Sequence, residues 1–301
     1  MNYERFEIVH ILFRADSSSN IGLGHIMRDL VLAKQYKNDT IYFACQNLDG
    51  NIIDKIPYET KILHSNNIDE LIKLIDLLHI DLLVIDHYGI TYNDEKRIKE
   101  KTGVKILSFD DTYEKHYCDI LLNHNISADE KRYKELVPES CELRCGSKYT
   151  LIRDEFKDEK KIKREKIYDI FLAMGGTDSA NINIPILNAI PDSLKVSLLT
   201  TSSNAHLGKI KEYIKHHRQI TLHVDSNEVA KLMNQSKYAI ITPSVIVHEV
   251  LFMQLPFLAI KVAENQDDIY KYLKKKNFLT IEKFEDNKLK TNIKKLMEKE
   301  A

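Results

Sequence analysis

Short apolar runs alternate with segments of helical periodicity along nearly the whole chain, and this alternation is the feature that most limits the possible folds. Short continuous apolar runs are typical of strands buried on both faces, and apolar residues at every third or fourth position are typical of helices. In the first half the predicted strands are residues 8–13, 41–44, 81–85, 105–109 and 120–122, and the predicted helices are residues 24–36, 67–78 and 93–100. The pattern predicts an α/β fold in which helices cover both faces of a parallel sheet.

The same alternation restarts after a charged stretch, KDEKKIKREK, at residues 157–166. This stretch is either a linker or a solvated helix, because both tolerate a run of charges. Beyond it the predicted strands are residues 168–174, 195–199, 220–224, 238–241 and 257–262, and the predicted helices are residues 181–190, 207–215, 228–235, 245–254, 266–275 and 287–300. A chain of 301 residues suits two such domains. We therefore predict two Rossmann-like, doubly wound domains, residues 1–157 and 158–301.

Charge and composition narrow the possible partners. The formal net charge of −1 argues against nucleic acid or an anionic membrane surface as the main partner. No apolar run approaches the length of a membrane span, and the charges within residues 1–6 are unlike a signal peptide, so we expect a cytoplasmic protein. The four cysteines lack the paired spacing of a zinc site. We expect neither a metal nor a cofactor.

The first loop, RADSSSNIGLGHIMRD at residues 14–29, joins the first predicted strand to the first predicted helix. Gly22 and Gly24 allow the backbone to approach a ligand closely, and an open α/β sheet binds its ligands at such loops. His25 falls on the first turn of the helix, where the helix dipole disfavours a protonated ring. His25 is therefore a candidate general base, although packing at the start of the helix is the alternative interpretation.

Two further motifs follow predicted strands of the first half. In IDHYG, residues 85–89, Asp86, His87 and Tyr88 come at the end of a strand and are expected to face a ligand, unless they only pack. In SFDDT, residues 108–112, the adjacent Asp110 and Asp111 point to opposite faces of the strand. We interpret these two carboxylates as structural or supporting groups rather than as metal ligands.

The second half contains three segments that suit a nucleotide diphosphate. MGGTDSAN follows a strand and opens a helix, so that its backbone amides favour a phosphate. TPSVIVHEV places a hydroxyl at a helix start and a carboxylate within reach of a ribose, and VAENQDD places two amides at a strand end. The candidate nucleotide-binding residues are Gly175, Gly176, Thr177, Ser244, Glu249, Asn265 and Gln266.

These motifs together resemble the glycosyltransferase-B (GT-B) fold, in which two Rossmann-like domains face a central cleft. More closely, the sequence resembles the bacterial hydrolases of UDP-2,4-diacetamido-2,4,6-trideoxy-β-L-altropyranose, which act in pseudaminic acid synthesis for flagellin glycosylation. The resemblance extends over nearly the whole chain. It is carried by FRADSSSNIGLGHIMRDLVLAKQY, IDHYGI, GVKILSFDD, CDILLN, LIRDEF and MGGTD.

The resemblance implies a reaction in which water attacks the anomeric carbon of a UDP-sugar with inversion and UDP leaves, without a required metal. It implies that His25, on the first helix after Gly24, is the catalytic base. Tyr88 and Asn265 are implied to lie near the sugar and UDP, and Tyr88 is implied to be catalytic together with His25, while the other candidate residues of the second half bind the nucleotide. Arg153 in LIRDEF is implied to contact a phosphate at the junction of the domains.

Two other functions use the same residues. A GT-B glycosyltransferase would pass the sugar to an acceptor rather than to water, but the first half shows no apolar and basic patch for docking at a membrane. A UDP-sugar-binding protein without activity would not need His25 and Tyr88 together. A metal-dependent pyrophosphatase would need a box of metal-binding carboxylates, and the sequence contains no such run.

Overall fold

The computed structural model describes residues 8–18 and 21–298. The chain divides into two compact units between Leu151 and Ile152. The sequence analysis placed this division after residue 157. Helix α4 (Asp154–Glu159) opens the C-terminal unit and includes the first residues of the charged stretch 157–166.

In the described part of the N-terminal unit, seven parallel strands form one sheet with the order β3-β2-β1-β4-β5-β6-β7. The strands are β1 (His10–Ala15), β2 (Thr40–Gln46), β3 (Glu59–Leu63), β4 (Leu82–Asp86), β5 (Lys105–Phe109), β6 (Ile120–Asn123) and β7 (Glu142–Cys145). The helices are α1 (Gly24–Ala33), α2 (Ile68–Leu78) and α3 (Tyr92–Thr102). Ile11, Leu12 and Phe13 of β1 are fully buried, because both faces of the central strand are covered.

In residues 152–298, six parallel strands form a second sheet with the order β10-β9-β8-β11-β12-β13. The strands are β8 (Tyr168–Ala173), β9 (Val196–Thr200), β10 (Ile220–Val224), β11 (Ser236–Ile241), β12 (Phe257–Ile260) and β13 (Leu279–Ile281). After α4, the helices are α5 (Asn183–Ala189), α6 (Leu207–Ile214), α7 (Val229–Asn234), α8 (Ile246–Phe252), α9 (Asp267–Lys275) and α10 (Asp286–Glu298). Two parallel-sheet α/β domains are thus confirmed.

The sequence analysis missed three strands, β3, β7 and β13, which lie at edges of the sheets. An edge strand is only partly covered, so it lacks the continuous apolar run that identifies a central strand. Glu59 in β3 and Glu142 in β7 are exposed, and β13 has only three residues. The apolar pattern therefore detects the interior of each sheet better than its edges.

The strand order reverses once in each sheet, between β1 and β4 in the first and between β8 and β11 in the second. Loops that follow the two strands at such a reversal diverge and leave a crevice at the carboxyl ends of the strands. The loop that leads to His25 at the start of α1 follows β1, and the loop that carries Tyr88 follows β4. Within the described ranges, no helix is long and apolar enough to cross a membrane.

Candidate active site

His25 occupies the second position of α1, and its ring is mostly buried. Its Nδ1 lies 2.7 Å from Oδ1 of Asp86, the last residue of β4. The carboxylate accepts a hydrogen bond from Nδ1–H, which fixes the tautomer and makes Nε2 the basic nitrogen. No described residue bonds Nε2, and the ring lines a cavity of about 390 Å³. The structure therefore leaves one imidazole nitrogen of His25 for a ligand or a water molecule.

Arg28, one turn after His25 on α1, holds the Asp86 carboxylate in a two-pronged contact. Its Nε lies 2.5 Å from Oδ2 and its Nη2 lies 2.5 Å from Oδ1 of Asp86. Burial alone would raise the pKa of Asp86, but the charge and hydrogen bonds of Arg28 outweigh this and hold it at about 2. Asp86 is therefore ionised at neutral pH.

Tyr88 follows Asp86 by two residues and stands against the ring of His25. The two rings meet edge to face, with their centroids 5.0 Å apart. The Tyr88 hydroxyl donates a hydrogen bond to Oδ1 of Asp111 at 2.9 Å, and desolvation and this carboxylate raise its pKa to about 12. The hydroxyl stays protonated near pH 7 and remains a hydrogen-bond donor.

A second carboxylate–imidazole pair, Asp16 and His87, lines the same cavity. His87 Nε2 donates to Oδ2 of Asp16 at 3.1 Å, and His87 Nδ1 accepts from the backbone N–H of Gly89 at 3.0 Å. Burial opposes ionisation of Asp16, but His87 and the buried Arg14 keep its pKa well below the usual range. Because both of its ring nitrogens are engaged, His87 has a supporting role, and His25 is the imidazole with a free nitrogen.

Asp29 lies next to Arg28 on α1 and is fully buried. Neither of its carboxyl oxygens has a hydrogen-bond partner among the described residues. Burial and the neighbouring charge of Asp86 raise the pKa of Asp29 well above its usual value. Burial therefore disfavours the charged form of Asp29.

The two carboxylates of SFDDT have different surroundings. Asp110 accepts hydrogen bonds from the backbone N–H groups of Thr112 and Tyr113 and from the hydroxyl of Tyr133, and it shapes the loop after β5. Asp111 instead accepts from Tyr88 and from Nη1 of Arg28, the latter at 3.2 Å. In the described ranges, no group of three or more histidine, cysteine or acidic residues is arranged to hold a metal ion.

In the C-terminal unit, a cavity of about 230 Å³ opens at the carboxyl ends of the strands. Gly175, Gly176 and Ser244 line it, together with Thr201 and Asp225 from neighbouring loops. Gly175 has a φ of +82°, a conformation that side chains with a Cβ rarely adopt. The Gly176 carbonyl accepts hydrogen bonds from the Thr200 and Thr201 hydroxyls, which fixes the turn. The glycines thus shape this cavity.

The other nucleotide-side candidates do not line that cavity. Thr177 and Asn265 are exposed, and Gln266 closes its own loop by accepting from the backbone N–H of Val262 at 2.8 Å. The helix after the glycines begins only at Asn183. The Asp178 carboxylate already accepts from the first amides of that helix, Ile182 N at 3.0 Å and Asn183 N at 3.1 Å. The amides left for a phosphate belong to the turn.

Arg153 and Glu249 form an ion pair within the C-terminal unit. Arg153 Nη2 lies 2.7 Å and Nε lies 3.0 Å from Oε1 of Glu249, and Nη1 lies 2.8 Å from Glu155. Burial raises the pKa of Glu249, and the neighbouring Arg153 opposes that shift. The guanidinium that the sequence analysis assigned to a phosphate is thus engaged by two carboxylates.

The sequence analysis gave no role to Arg28 or Asp16, although both take part in the site. Arg28 lies three residues after His25, the spacing that places two side chains on one face of a helix. Asp16 follows the buried Arg14, and a charge inside an apolar strand requires a partner. The sequence therefore indicated that Arg28 and Asp16 make specific contacts, but it did not identify the residues that they contact.

Solved structures define the class of protein. The chain matches the structure of MurG from Acinetobacter baumannii with a TM-score of 0.65 at 10% identity, over 96% of this chain and 91% of that one. It matches a glycosyltransferase from Rickettsia africae with a TM-score of 0.64 at 12% identity, over 97% and 89% of the two chains. With its two parallel-sheet units, the chain therefore has the GT-B fold.

Sequence comparison identifies the family. The chain is 50% identical over 268 residues to the UDP-2,4-diacetamido-2,4,6-trideoxy-β-L-altropyranose hydrolase of Campylobacter jejuni, which covers 89% of this chain and 97% of that protein. It is 23% identical over 270 residues to the spore coat polysaccharide biosynthesis protein SpsG of Bacillus subtilis, over 86% and 79% of the two chains. No family model matches the sequence. The chain belongs to the family of UDP-2,4-diacetamido-2,4,6-trideoxy-β-L-altropyranose hydrolases.

Proposed function

We propose that this chain hydrolyses UDP-2,4-diacetamido-2,4,6-trideoxy-β-L-altropyranose to UDP and the free sugar, as a step of pseudaminic acid synthesis. Water attacks the anomeric carbon C1, and the C1–O bond breaks with inversion. The observation that carries the mechanism is the 2.7 Å contact between His25 Nδ1 and Asp86, which leaves Nε2 unbonded by described residues. The substrate is supported by the identity of 50% to the Campylobacter jejuni hydrolase.

His25 is the general base of this reaction. As the water oxygen bonds to C1, its proton moves to Nε2 of His25, and the electron pair of the C1–O bond goes to the departing β-phosphate oxygen of UDP. The imidazolium that forms is paired with the Asp86 carboxylate, so the developing charge is stabilised. General base catalysis of this kind contributes about 100- to 10,000-fold to the rate.

Tyr88 holds the sugar beside this base. Its ring, 65% exposed, offers an apolar face to the sugar, and its hydroxyl, which donates its proton to Asp111, can accept a hydrogen bond from a sugar hydroxyl. Asp111 fixes the hydroxyl, so the tyrosine presents its face in a defined orientation. We assign Tyr88 to substrate positioning in the active site.

The C-terminal unit binds UDP in this proposal, so the unit that ends at Leu151 supplies the base and the unit that begins at Ile152 holds the nucleotide. The turn at Gly175, Gly176 and Thr177 approaches the diphosphate, and Ser244 lines the same cavity. Glu249, held by Arg153, is assigned to the ribose. Asn265 and Gln266 complete the nucleotide side in the loop after β12.

Hydrolysis in oxygen-18 water tests the proposed reaction. The label is expected in the sugar and not in UDP, since water attacks carbon rather than phosphorus. The anomer of the sugar released first, followed by NMR, is expected to be inverted. Label in the β-phosphate would contradict the proposed bond cleavage, and turnover that required an acceptor sugar would identify a glycosyltransferase instead.

A substitution at Gly176 is expected to weaken UDP binding. A Cβ at this position would lie 2.8 Å from Cγ2 of Thr201, so the turn must shift in Gly176→Ala. We expect the dissociation constant for UDP, measured by calorimetry, to rise about 10-fold, which corresponds to about 1.4 kcal/mol. Adding Thr201→Ser removes the clashing methyl group and is expected to restore part of the affinity. Unchanged affinity in Gly176→Ala would place UDP elsewhere.

Chelation is expected to leave turnover unchanged. The carboxylates Asp16, Asp86 and Asp111 are each paired with an arginine, so none is free to ligate a metal without losing that partner. Activity is measured as UDP release after dialysis against EDTA, with and without added Mg²⁺ or Zn²⁺. Activity that is lost in EDTA and restored by a divalent ion would contradict a metal-independent mechanism.

A further inference from the structure

We propose that Arg28 is a positioning residue that joins His25 and Tyr88 into one hydrogen-bonded chain. The carboxylates of Asp86 and Asp111 are the two links of this chain. The inference rests on the proposed function, because it explains how the base and the substrate-positioning tyrosine of that reaction are held together. It assigns to Arg28 the relative placement of the two side chains.

The guanidinium of Arg28 contacts both carboxylates at once. Its Nε and Nη2 bind the two oxygens of Asp86, and its Nη1 binds Oδ2 of Asp111. The other oxygen of Asp111 accepts from Tyr88, and Oδ1 of Asp86 accepts from His25. The Arg28 side chain is 15% exposed, and its guanidinium carbon lies 5.0 Å from the centre of the Phe109 ring. The guanidinium of Arg28 is therefore fixed by contacts with Asp86, Asp111 and Phe109.

A lysine cannot reproduce this arrangement, although it carries the same charge. Arginine presents five N–H donors in a fixed plane, whereas lysine offers one ammonium group on a flexible chain. Only the planar group can hold both oxygens of Asp86 while it also reaches Asp111. Geometry and charge at position 28 can therefore be separated by substitution.

Arg28 also lies close to His25 itself. Its Nη2 is 3.1 Å from His25 Nδ1, and its Nε and Nη2 hold the Asp86 carboxylate that accepts a hydrogen bond from that nitrogen. Loss of the guanidinium is therefore expected to disturb the orientation of the His25 ring.

Other titratable groups lie around this series of hydrogen bonds, on each neighbouring element. They are Asp29 on α1, Arg14 and Asp16 at the end of β1, His87 and Tyr88 after β4, and Asp110 and Asp111 after β5. Burial raises the pKa of Asp29 and so disfavours its charged form, and Asp16 is paired with Arg14 and His87. Asp110 is held by the loop after β5. Arg28 is thus the cation that contacts both Asp86 and Asp111.

The test compares kcat and KM of Arg28→Gln and Arg28→Lys, each measured per folded molecule. For Arg28→Gln we expect kcat to fall about 10- to 100-fold with a smaller change in KM, because the base is misaligned while the C-terminal unit, to which UDP binding is assigned, is untouched. For Arg28→Lys we expect kcat to fall about 10-fold, because charge is retained and geometry is lost. Arg97→Met, which breaks an exposed pair with Asp69, is the matched control and is expected to leave kcat and KM unchanged.

A wild-type kcat in both Arg28 variants, or a loss confined to KM, would overturn the inference. Folding is checked by circular dichroism, and kcat is calculated per folded molecule. If less of a variant folds but its kcat per folded molecule equals that of the wild type, the inference is also overturned. If Arg28→Gln does not fold, the fall of kcat in folded Arg28→Lys decides the question. Failure of the wild type to release UDP would overturn the proposed function and this inference with it, whereas an active wild type with unaffected variants overturns this inference alone.

Discussion

Replacing His25 by asparagine or alanine is expected to lower kcat at least about 100-fold while the affinity for UDP changes little. The reason is that proton transfer to Nε2 occurs only as water attacks C1, so the lost interaction belongs to the transition state. Binding of UDP is assigned to the C-terminal unit, and His25 lies in the N-terminal unit. The measurement pairs steady-state UDP release with calorimetry of UDP binding.

His64→Asn is the matched control for this prediction. His64 is 94% exposed and contacts Glu70 at 2.8 Å through Nδ1, so it repeats the carboxylate–imidazole pair of the active site on the surface. We expect wild-type kcat in His64→Asn. A kcat near the wild-type value in His25→Ala would contradict the general base assignment and leave His25 as a residue that packs at the start of α1.

The interior of both sheets could be predicted from the sequence, because a strand covered on two faces requires a continuous apolar run. The run around Ile11 and Phe13 is an example, and both residues are fully buried in β1. The edge strand β3 could not be predicted in the same way, since it begins with the polar residues 59–61 and only Ile62 and Leu63 are apolar. The pattern measures burial, and an edge strand is not fully buried.

The sequence predicted that His25 and Tyr88 each come shortly after a strand, where an α/β sheet binds its ligands, and the structure brings their rings together at the reversal of strand order. The sequence did not predict the contacts that connect them. Arg28 lies 58 residues from Asp86 and 83 from Asp111, and no local pattern links groups so distant in the chain. A short stretch of sequence predicts that a polar residue lies near the site. Which of several carboxylates it contacts depends on how distant segments pack together.

The turn at MGGTDSAN shows a different reason for an incomplete prediction. The sequence analysis expected helix amides immediately after the glycines, but Asp178 caps the helix and takes its first two amides. Aspartate is a preferred residue at a helix start, because its side chain accepts from the free N–H groups there. Asp178 thus occupies the amides that the sequence analysis had assigned to a phosphate.

Substitution of Asp86 by asparagine is expected to be about as damaging to kcat as loss of His25, although Asp86 does not touch the substrate. The substituted side chain would keep its size, but a neutral amide cannot stabilise the imidazolium that forms as the proton is transferred. One of the two oxygen positions would also become an N–H₂ group facing either Arg28 or His25, where donors already point. We expect kcat to fall at least about 100-fold, with UDP affinity retained.

The same substitution is expected to lower the stability of the protein, because Arg28 loses its main buried counter-charge. Removing one partner of a buried ion pair costs about 3 kcal/mol or more, and Asp111 compensates only in part through a single contact at 3.2 Å. Urea unfolding measures this loss, and Asp69→Asn, which breaks the exposed pair with Arg97, is the control expected to cost well below about 1 kcal/mol. Because the loss of kcat is measured per folded molecule, the two effects separate. A stable Asp86→Asn variant with normal kcat would show that His25 needs no carboxylate to orient it, and a destabilised variant with normal kcat would reduce Asp86 to a structural partner of Arg28.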